Sequence, residues 1–308
     1  MGMSGVLRPG HAAIKVLDLD EAVHFYTNVL GMLETGRDSF GRVYFKAWDE
    51  RDHNSLVLRQ SDRAGLDFFG FKVRDEASLD KLESNLRAWG ISTERVAAGE
   101  MLATGERVRF ESPSGHLLEL YAEKKHVGTP MGNRNPDPWP QGLKGIAPIR
   151  MDHSFLAGGD VAKTEKLFTE VLDFYVTERI LLDDGVTSAA VFLSCSTKSH
   201  DIAFGLHPEP GRLHHVSYRL ESWEQVLRAA DIMSMNKVSI DIAPTRHGVT
   251  RGATVYAFDP SGNRFETFSG GYETYPDAEP IEWTFEEMGS AVFFHERNVD
   301  PLFFETTT

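Results

Sequence analysis

The chain repeats itself, and the repeat limits its fold more than any single motif does. Residues 9–32 (PGHAAIKVLDLDEAVHFYTNVLGM) and 151–174 (MDHSFLAGGDVAKTEKLFTEVLDF) each place a histidine in an alternating segment, followed by a helical pattern ending in VLG or VLD. FESPSGHLLELY (110–121) parallels AFDPSGNRFETF (257–268), and FFGFKVRDEASLDKLESNL (68–86) parallels HVSYRLESWEQVLRAA (215–230). In each unit a period-two strand leads into an amphipathic helix with apolar residues three and four apart. Shorter strands follow, and a Pro-Ser-Gly turn introduces the last one. The unit reads βαβββ and occurs four times. The expected fold is therefore α+β: four βαβββ modules paired into two similar domains, each a curved mixed sheet, or half-open barrel, with helices outside. The expected boundaries are a domain over 1–122, a linker over 123–148 rich in Pro, Gly and Asn, a second domain over 149–270, and an aromatic-dense tail over 271–308 that packs on it.

The repeat also exposes a difference between the halves. His153 corresponds to His11 at an offset of 142 residues, and His215 to Phe68 and Glu266 to Glu119 at an offset of 147. A small insertion after the first strand is expected to account for the difference. The second half thus holds His, His and Glu where the first holds His, Phe and Glu, and Phe cannot bind a metal. Strand alternation selects His215 over its neighbour, because successive side chains face opposite sides. His214, Val216, Tyr218 and Leu220 form the apolar face; His215, Ser217 and Arg219 form the polar one. One half is expected to bind a metal and the other to be a structural copy. Two imidazoles and one carboxylate leave three open positions on an octahedral ion, which suits non-haem iron(II). Ligand type alone leaves zinc, manganese, nickel and cobalt open.

Composition narrows the function classes. The length of 308 residues allows two domains, and 41% hydrophobic with 25% charged residues is ordinary for a globular protein. The single cysteine, Cys195, excludes an internal disulfide framework and thiolate-rich metal sites, and fits a reducing cytoplasm. A formal charge of −14 argues against a general nucleic-acid binder. No apolar run reaches the ~18 residues of a membrane span, and MGMSGVLRPGH lacks the apolar stretch of a secretory signal. A cytoplasmic protein without nucleic-acid or membrane partners is expected.

The stretches RPGHAAIKVLDL, GRVYFKAW, GRLHHVSYRLESWEQVLRAADIMSM, SIDIAPTRHGVTRG and FDPSGNRFETFSGG carry a resemblance over nearly the whole chain. It closely resembles the type I extradiol ring-cleavage dioxygenases of the vicinal oxygen chelate superfamily, within them the catechol 2,3-dioxygenases. The resemblance implies Fe(II) as cofactor, bound by His153, His215 and Glu266. It implies catalytic roles for His200 in STKSHDIAF, His247 in PTRHG and Tyr256 in TVYAFDPSGN. The implied substrates are a catechol and dioxygen, the product a 2-hydroxymuconate semialdehyde, and the assembly a homotetramer. Minor differences around Arg251 and Phe265 bear on substituent preference. On sequence alone His200 and His247 also read as loop histidines, and Tyr256 as packing.

Phe192, Val292 and Phe303 are candidates for an apolar substrate wall, each equally readable as plain core. Trp283, Phe285, Phe293 and Phe294 read either as a lid or as packing. The same fold hosts isomerases of the glyoxalase type and drug-binding proteins, so fold alone does not fix function. An isomerase would want a fourth protein ligand. Phe68 and the set His200, His247, Tyr256 argue against it.

Overall fold

The computed structural model describes residues 5–308, so the first four residues of the expected N-terminal domain lie outside the described residues. Four βαβββ modules are present. The first is β1 (Val6–Val16), α1 (Leu19–His24), β2 (Leu33–Arg37), β3 (Val43–Lys46) and β4 (Leu56–Gln60). The second is β5 (Gly65–Val73), α2 (Glu76–Trp89), β6 (Thr93–Val96), β7 (Arg107–Glu111) and β8 (Leu117–Tyr121). The third is β9 (Arg150–Gly158), α3 (Val161–Glu170), β10 (Tyr175–Leu181), β11 (Ser188–Ser194) and β12 (Ile202–Leu206). The fourth is β13 (Arg212–Arg219), α4 (Trp223–Met235), β14 (Ile240–Arg246), β15 (Gly252–Phe258) and β16 (Arg264–Gly270). Each helix starts at the same point of its module, where the side chain of Asp18, Asp75, Asp160 or Ser222 accepts a first-turn backbone N–H.

The modules pair into two mixed sheets. The first runs β2-β3-β4-β1-β5-β8-β7-β6, and the second β14-β15-β16-β13-β9-β12-β11-β10. The second sheet gains a ninth strand, β17 (Ile281–Trp283), which lies parallel to β10. It also curls: the backbone N–H of Thr250, between β14 and β15, reaches Glu178 on β10 near the opposite edge. Between β8 and β9 the chain carries only isolated bridges and turns.

Helices and outer sheet faces of both halves contribute to one continuous apolar core. Phe71 of β5 meets Phe168 and Phe174 of the third module at ring distances of 5.9 and 5.4 Å. Phe25 meets Phe265 of β16 at 5.4 Å. The two Pro-Ser-Gly turns reinforce the joint reciprocally. His116, beside the first, bonds the carbonyl of Arg212 at 2.9 Å, and Ser261 of the second accepts from the Leu17 N–H at 2.9 Å. Gly115 and Gly262 close these turns at φ of +83° and +88°, a region glycine enters freely.

Two expectations need correction. The extra residues behind the unequal offsets lie in the loops between β10 and β13, since α1 and α3 begin at the same offset as His11 and His153. The alternation along β13 is also broken. Pairing with β9 skips His214, between Leu213↔Leu156 and His215↔Phe155. His214 is a β-bulge residue, so it joins His215 on the inner face while Leu213 and Val216 enter the core. The first half has the same bulge at Asp67, between Phe68 and Leu66.

Because the core crosses between halves, Phe71→Ala should cost about 3–5 kcal/mol and shift a single unfolding transition followed by fluorescence and circular dichroism. Two transitions with only one displaced would contradict the shared core.

Candidate metal centre

Three neighbouring strands present the ligand set. His153 on β9 and Glu266 on β16 both pair with Ser217 of β13, and His215 lies two residues before Ser217. Strand alternation therefore turns all three side chains to one face. Their ligand atoms lie within 4.8 Å of one another, and all three residues are buried. Glu266 Oε2 is 2.9 Å from His153 Nε2 and 3.6 Å from His215 Nε2. Glu266 Oε2 and His215 Nε2 are buried and have no hydrogen-bond partner among the described residues. The equivalent atoms of the first half, Glu119 Oε2 and His11 Nε2, are unpartnered too, but among the described residues only imidazoles form ion pairs with Glu266, and two imidazoles converging with one carboxylate fit a divalent cation.

Hydrogen bonds behind the ligands fix which nitrogen faces inward. Asp152, also buried, accepts from His153 Nδ1 at 2.9 Å, leaving Nε2 toward Glu266. Burial opposes charge on His153, but Asp152 and Glu266 outweigh it and raise its pKa above the ordinary value. A bound cation would displace that proton. Burial alone would raise the Asp152 pKa; Lys198, His153 and Arg219 outweigh it and hold the carboxyl far below its usual range. The carbonyl of Phe303 accepts from His214 Nε2 at 2.9 Å, so His214 Nδ1 is free to accept from His215 Nδ1 at 2.7 Å. His215 Nε2 then keeps its lone pair for a metal. Burial, above all, pushes the pKa values of both these histidines well down.

The other residues singled out in the sequence line the same cavity: His200, His247 and Tyr256, with Phe192, Val292 and Phe303. His200 lies between β11 and β12, with its ring centre 3.9 Å from that of His153 and with no hydrogen-bond partner for Nδ1 among the described residues. Burial, then the neighbouring charge of His153, pushes its pKa well below the ordinary value. His247 Nδ1 donates to the carbonyl of Val292, and Nε2 accepts from the Tyr256 hydroxyl at 2.9 Å. Burial, and then Glu266, raise the Tyr256 pKa well above 10. The tail is part of the wall. α5 (Met288–Val292) brings Val292, and α6 (Leu302–Glu305) brings Phe303, whose ring packs edge-on against Tyr256 at 5.1 Å. Trp283 and Phe293 pack into this cluster, whereas Phe285 and Phe294 are exposed.

The first half keeps the carboxylate and changes its partners. Glu119 Oε2 lies 2.9 Å from Arg107 Nε and 3.6 Å from His11 Nε2, and Arg109 donates to Oε1 at 2.6 Å. In sheet register Arg109 stands where Tyr256 stands, opposite the glutamate. Burial would raise the Glu119 pKa; His11, Arg107 and Arg109 outweigh it and bring it down to about 2. Lys124 donates to His11 Nδ1 at 2.9 Å, and Phe68 lies under the Arg109 guanidinium. Guanidinium charge fills the place of a cation there.

Sequence reasoning missed Asp152, His214, Lys198 and Thr254, whose hydroxyl donates to Glu266 Oε1. Asp152 and His214 each adjoin a ligand, where regular alternation would turn them away.

A paired βαβββ fold with one His-His-Glu centre and a second, arginine-filled copy defines a metalloprotein class. Residues 150–267 match the Glyoxalase/Bleomycin resistance protein/Dioxygenase superfamily, and residues 66–125 match the catechol 2,3-dioxygenase-like N-terminal domain. The chain is 50% identical over 305 residues to metapyrocatechase of Pseudomonas sp. (strain CF600), covering 99% of both chains. It is 29% identical to manganese-dependent 2,3-dihydroxybiphenyl 1,2-dioxygenase of Geobacillus genomosp. 3, over 95% of this chain and 94% of that one. Among solved structures, the 2,3-dioxygenase LapB from Pseudomonas sp. KL28 superposes with a TM-score of 0.91 at 63% identity, over 92% of this chain and 99% of that one. The chain belongs to the metapyrocatechase, or catechol 2,3-dioxygenase, family of extradiol dioxygenases.

Metal content by elemental analysis should fall to background in His215→Ala and stay at the wild-type value in His11→Ala. Asp152→Asn should fold yet weaken metal affinity by about 10- to 100-fold, read by chelator competition; wild-type affinity would remove Asp152 from the support of His153.

Proposed function

We propose that the chain is an Fe(II) enzyme whose metal is held by His153, His215 and Glu266. It cleaves catechol and substituted catechols with dioxygen beside the two hydroxyl carbons, giving 2-hydroxymuconate semialdehydes in aromatic hydrocarbon catabolism. Both oxygen atoms enter the product, so the equation balances without a further reductant. The observation that carries the reading is the convergence of a three-ligand centre, three proton-handling side chains and an apolar wall on one cavity.

Iron(II) in this site would supply a redox-active positive centre that favours an anionic catecholate and holds it beside dioxygen. The residues do the rest. Phe192, Val292 and Phe303 exclude water and hold the ring flat, which favours reaction by orientation. Tyr256 gives its own proton to His247 Nε2, so its oxygen is free to accept from a catechol hydroxyl. The Val292 carbonyl keeps His247 in the accepting tautomer. His200, neutral and with Nδ1 unpartnered, suits a base that accepts a proton and returns it as the dioxygen bond breaks.

The reading includes a homotetramer in the cytoplasm, supported by the resemblance and by the lone, buried Cys195. It includes no nucleic-acid partner, supported by the charge of −14, and no membrane partner; no described helix is long and apolar enough to cross a membrane. It assigns catalysis to residues 149–270 with the tail 271–308, and a structural role to 1–122. The glyoxalase-type isomerase is not favoured.

Metal-free protein reloaded anaerobically with Fe(II), Mn(II) or Zn(II) and given catechol in air tests the metal. The yellow ring-fission product should form with iron and not with zinc. Activity confined to manganese would overturn the iron assignment. His200→Phe should bind iron and catechol normally and turn over about 10²- to 10⁴-fold more slowly, measured by stopped-flow absorbance.

A further inference from the structure

Glu178 on β10 is fully buried and has no part in the metal centre or the proton-handling set described above. Its carboxylate collects donors from three separate segments. Oε1 accepts from the Thr250 N–H at 2.6 Å and the Tyr272 hydroxyl at 2.9 Å, and Oε2 accepts from Trp283 Nε1 at 2.8 Å. The Arg251 guanidinium lies over the Tyr272 ring at 5.0 Å.

The segment it grips is strained. Thr250 and Arg251 are consecutive non-glycine residues at φ of +58° and +57°, and a β-branched residue there is an outlier. Such backbone persists only where its surroundings over-determine it. The strain sits in the wall of the reaction cavity, because Val249 and Thr250 line it and His247 lies two residues upstream. Trp283, held by the other oxygen, packs so closely on Gly248 that a Cβ there would stand 3.0 Å from the indole.

We propose that Glu178 is a positioning residue that clasps the 247–251 segment and β17 together, closing the curled sheet and setting the fit of the catechol ring against Val249 and Thr250. The role rests on the reading of this cavity as the catechol site. Glu178 touches no reacting atom, and it acts through the backbone N–H of Thr250. The chemistry calls for a carboxylate, since one carboxamide cannot accept from donors on both of its ends.

The test uses metal-loaded Glu178→Leu and Glu178→Gln. Glu178→Leu has no acceptor. Amide exchange over 247–252 should quicken on the order of tenfold, with KM for catechol rising about as much and kcat changing less than about threefold. Glu178→Gln keeps one acceptor oxygen for the Thr250 and Tyr272 donors. It should restore protection of 247–252 and near-normal KM, while protection of 281–283 is lost. Unchanged exchange and KM in Glu178→Leu would overturn the clasp, as would a fall in kcat at constant KM. If Glu178→Leu fails to fold, Glu178→Gln decides alone, and equal exchange changes in both segments, or none, would refute the proposal. The exchange readout needs no substrate. A wild type that binds no catechol would therefore strike the functional reading, with the clasp judged separately.

Discussion

A carboxylate buried at the same strand position in each half must be neutralised, and much of the molecule is arranged around that requirement. An unpaired charge in a protein interior is too costly to keep. Glu119 is answered by Arg107 and Arg109, a solution made of covalent side chains. Glu266 is ion-paired only with the imidazoles of His153, His215 and His247 among the described residues, with no guanidinium beside it. The first carboxylate already has two permanent cations within hydrogen-bonding distance. The second calls for a cation, and the difference turns on a few side chains, chiefly Phe68 against His215 and Arg109 against Tyr256.

Charge alone does not orient a ligand. Asp152 fixes His153 from behind, with Lys198 and Arg219 paired to Asp152 in turn. The carbonyl of Phe303 fixes His214, and His214 fixes His215. The tail is thereby coupled to the His-His-Glu centre as well as to the cavity wall. It supplies the Val292 carbonyl to hold His247, Trp283 to bond Glu178, and Phe303, whose carbonyl holds His214 and whose ring walls the cavity. The shared core between halves keeps these distant segments in one frame.

Much of this was legible in the sequence because the repeat doubles every signal. The four modules follow from strand and helix periodicities that recur, and comparison of equivalent positions isolates Phe68 against His215. The structure groups His215 with His153 and Glu266, but regular alternation would place His214 in the core, because a bulge is a one-residue event with no periodic signature. Asp152 was invisible for a related reason: adjacency on a strand gives no hint that two side chains will bond. Glu178 was hidden because its three donors come from segments far apart in the chain. The readings of His200, His247 and Tyr256 came from resemblance, and the structure brings these three to one cavity with Phe192, Val292 and Phe303. Tail residues were ambiguous between lid and packing because aromatic content is the same for both.

The central claim is that one half of a duplicated fold holds a metal and the other holds arginine in its place. Anomalous diffraction at the iron edge, on crystals of the Fe(II)-loaded protein, tests it most directly. The account predicts one peak per chain, bonded to His153, His215 and Glu266, and protein density alone between His11 and Glu119. A second peak beside Glu119, or a single peak elsewhere, would contradict it.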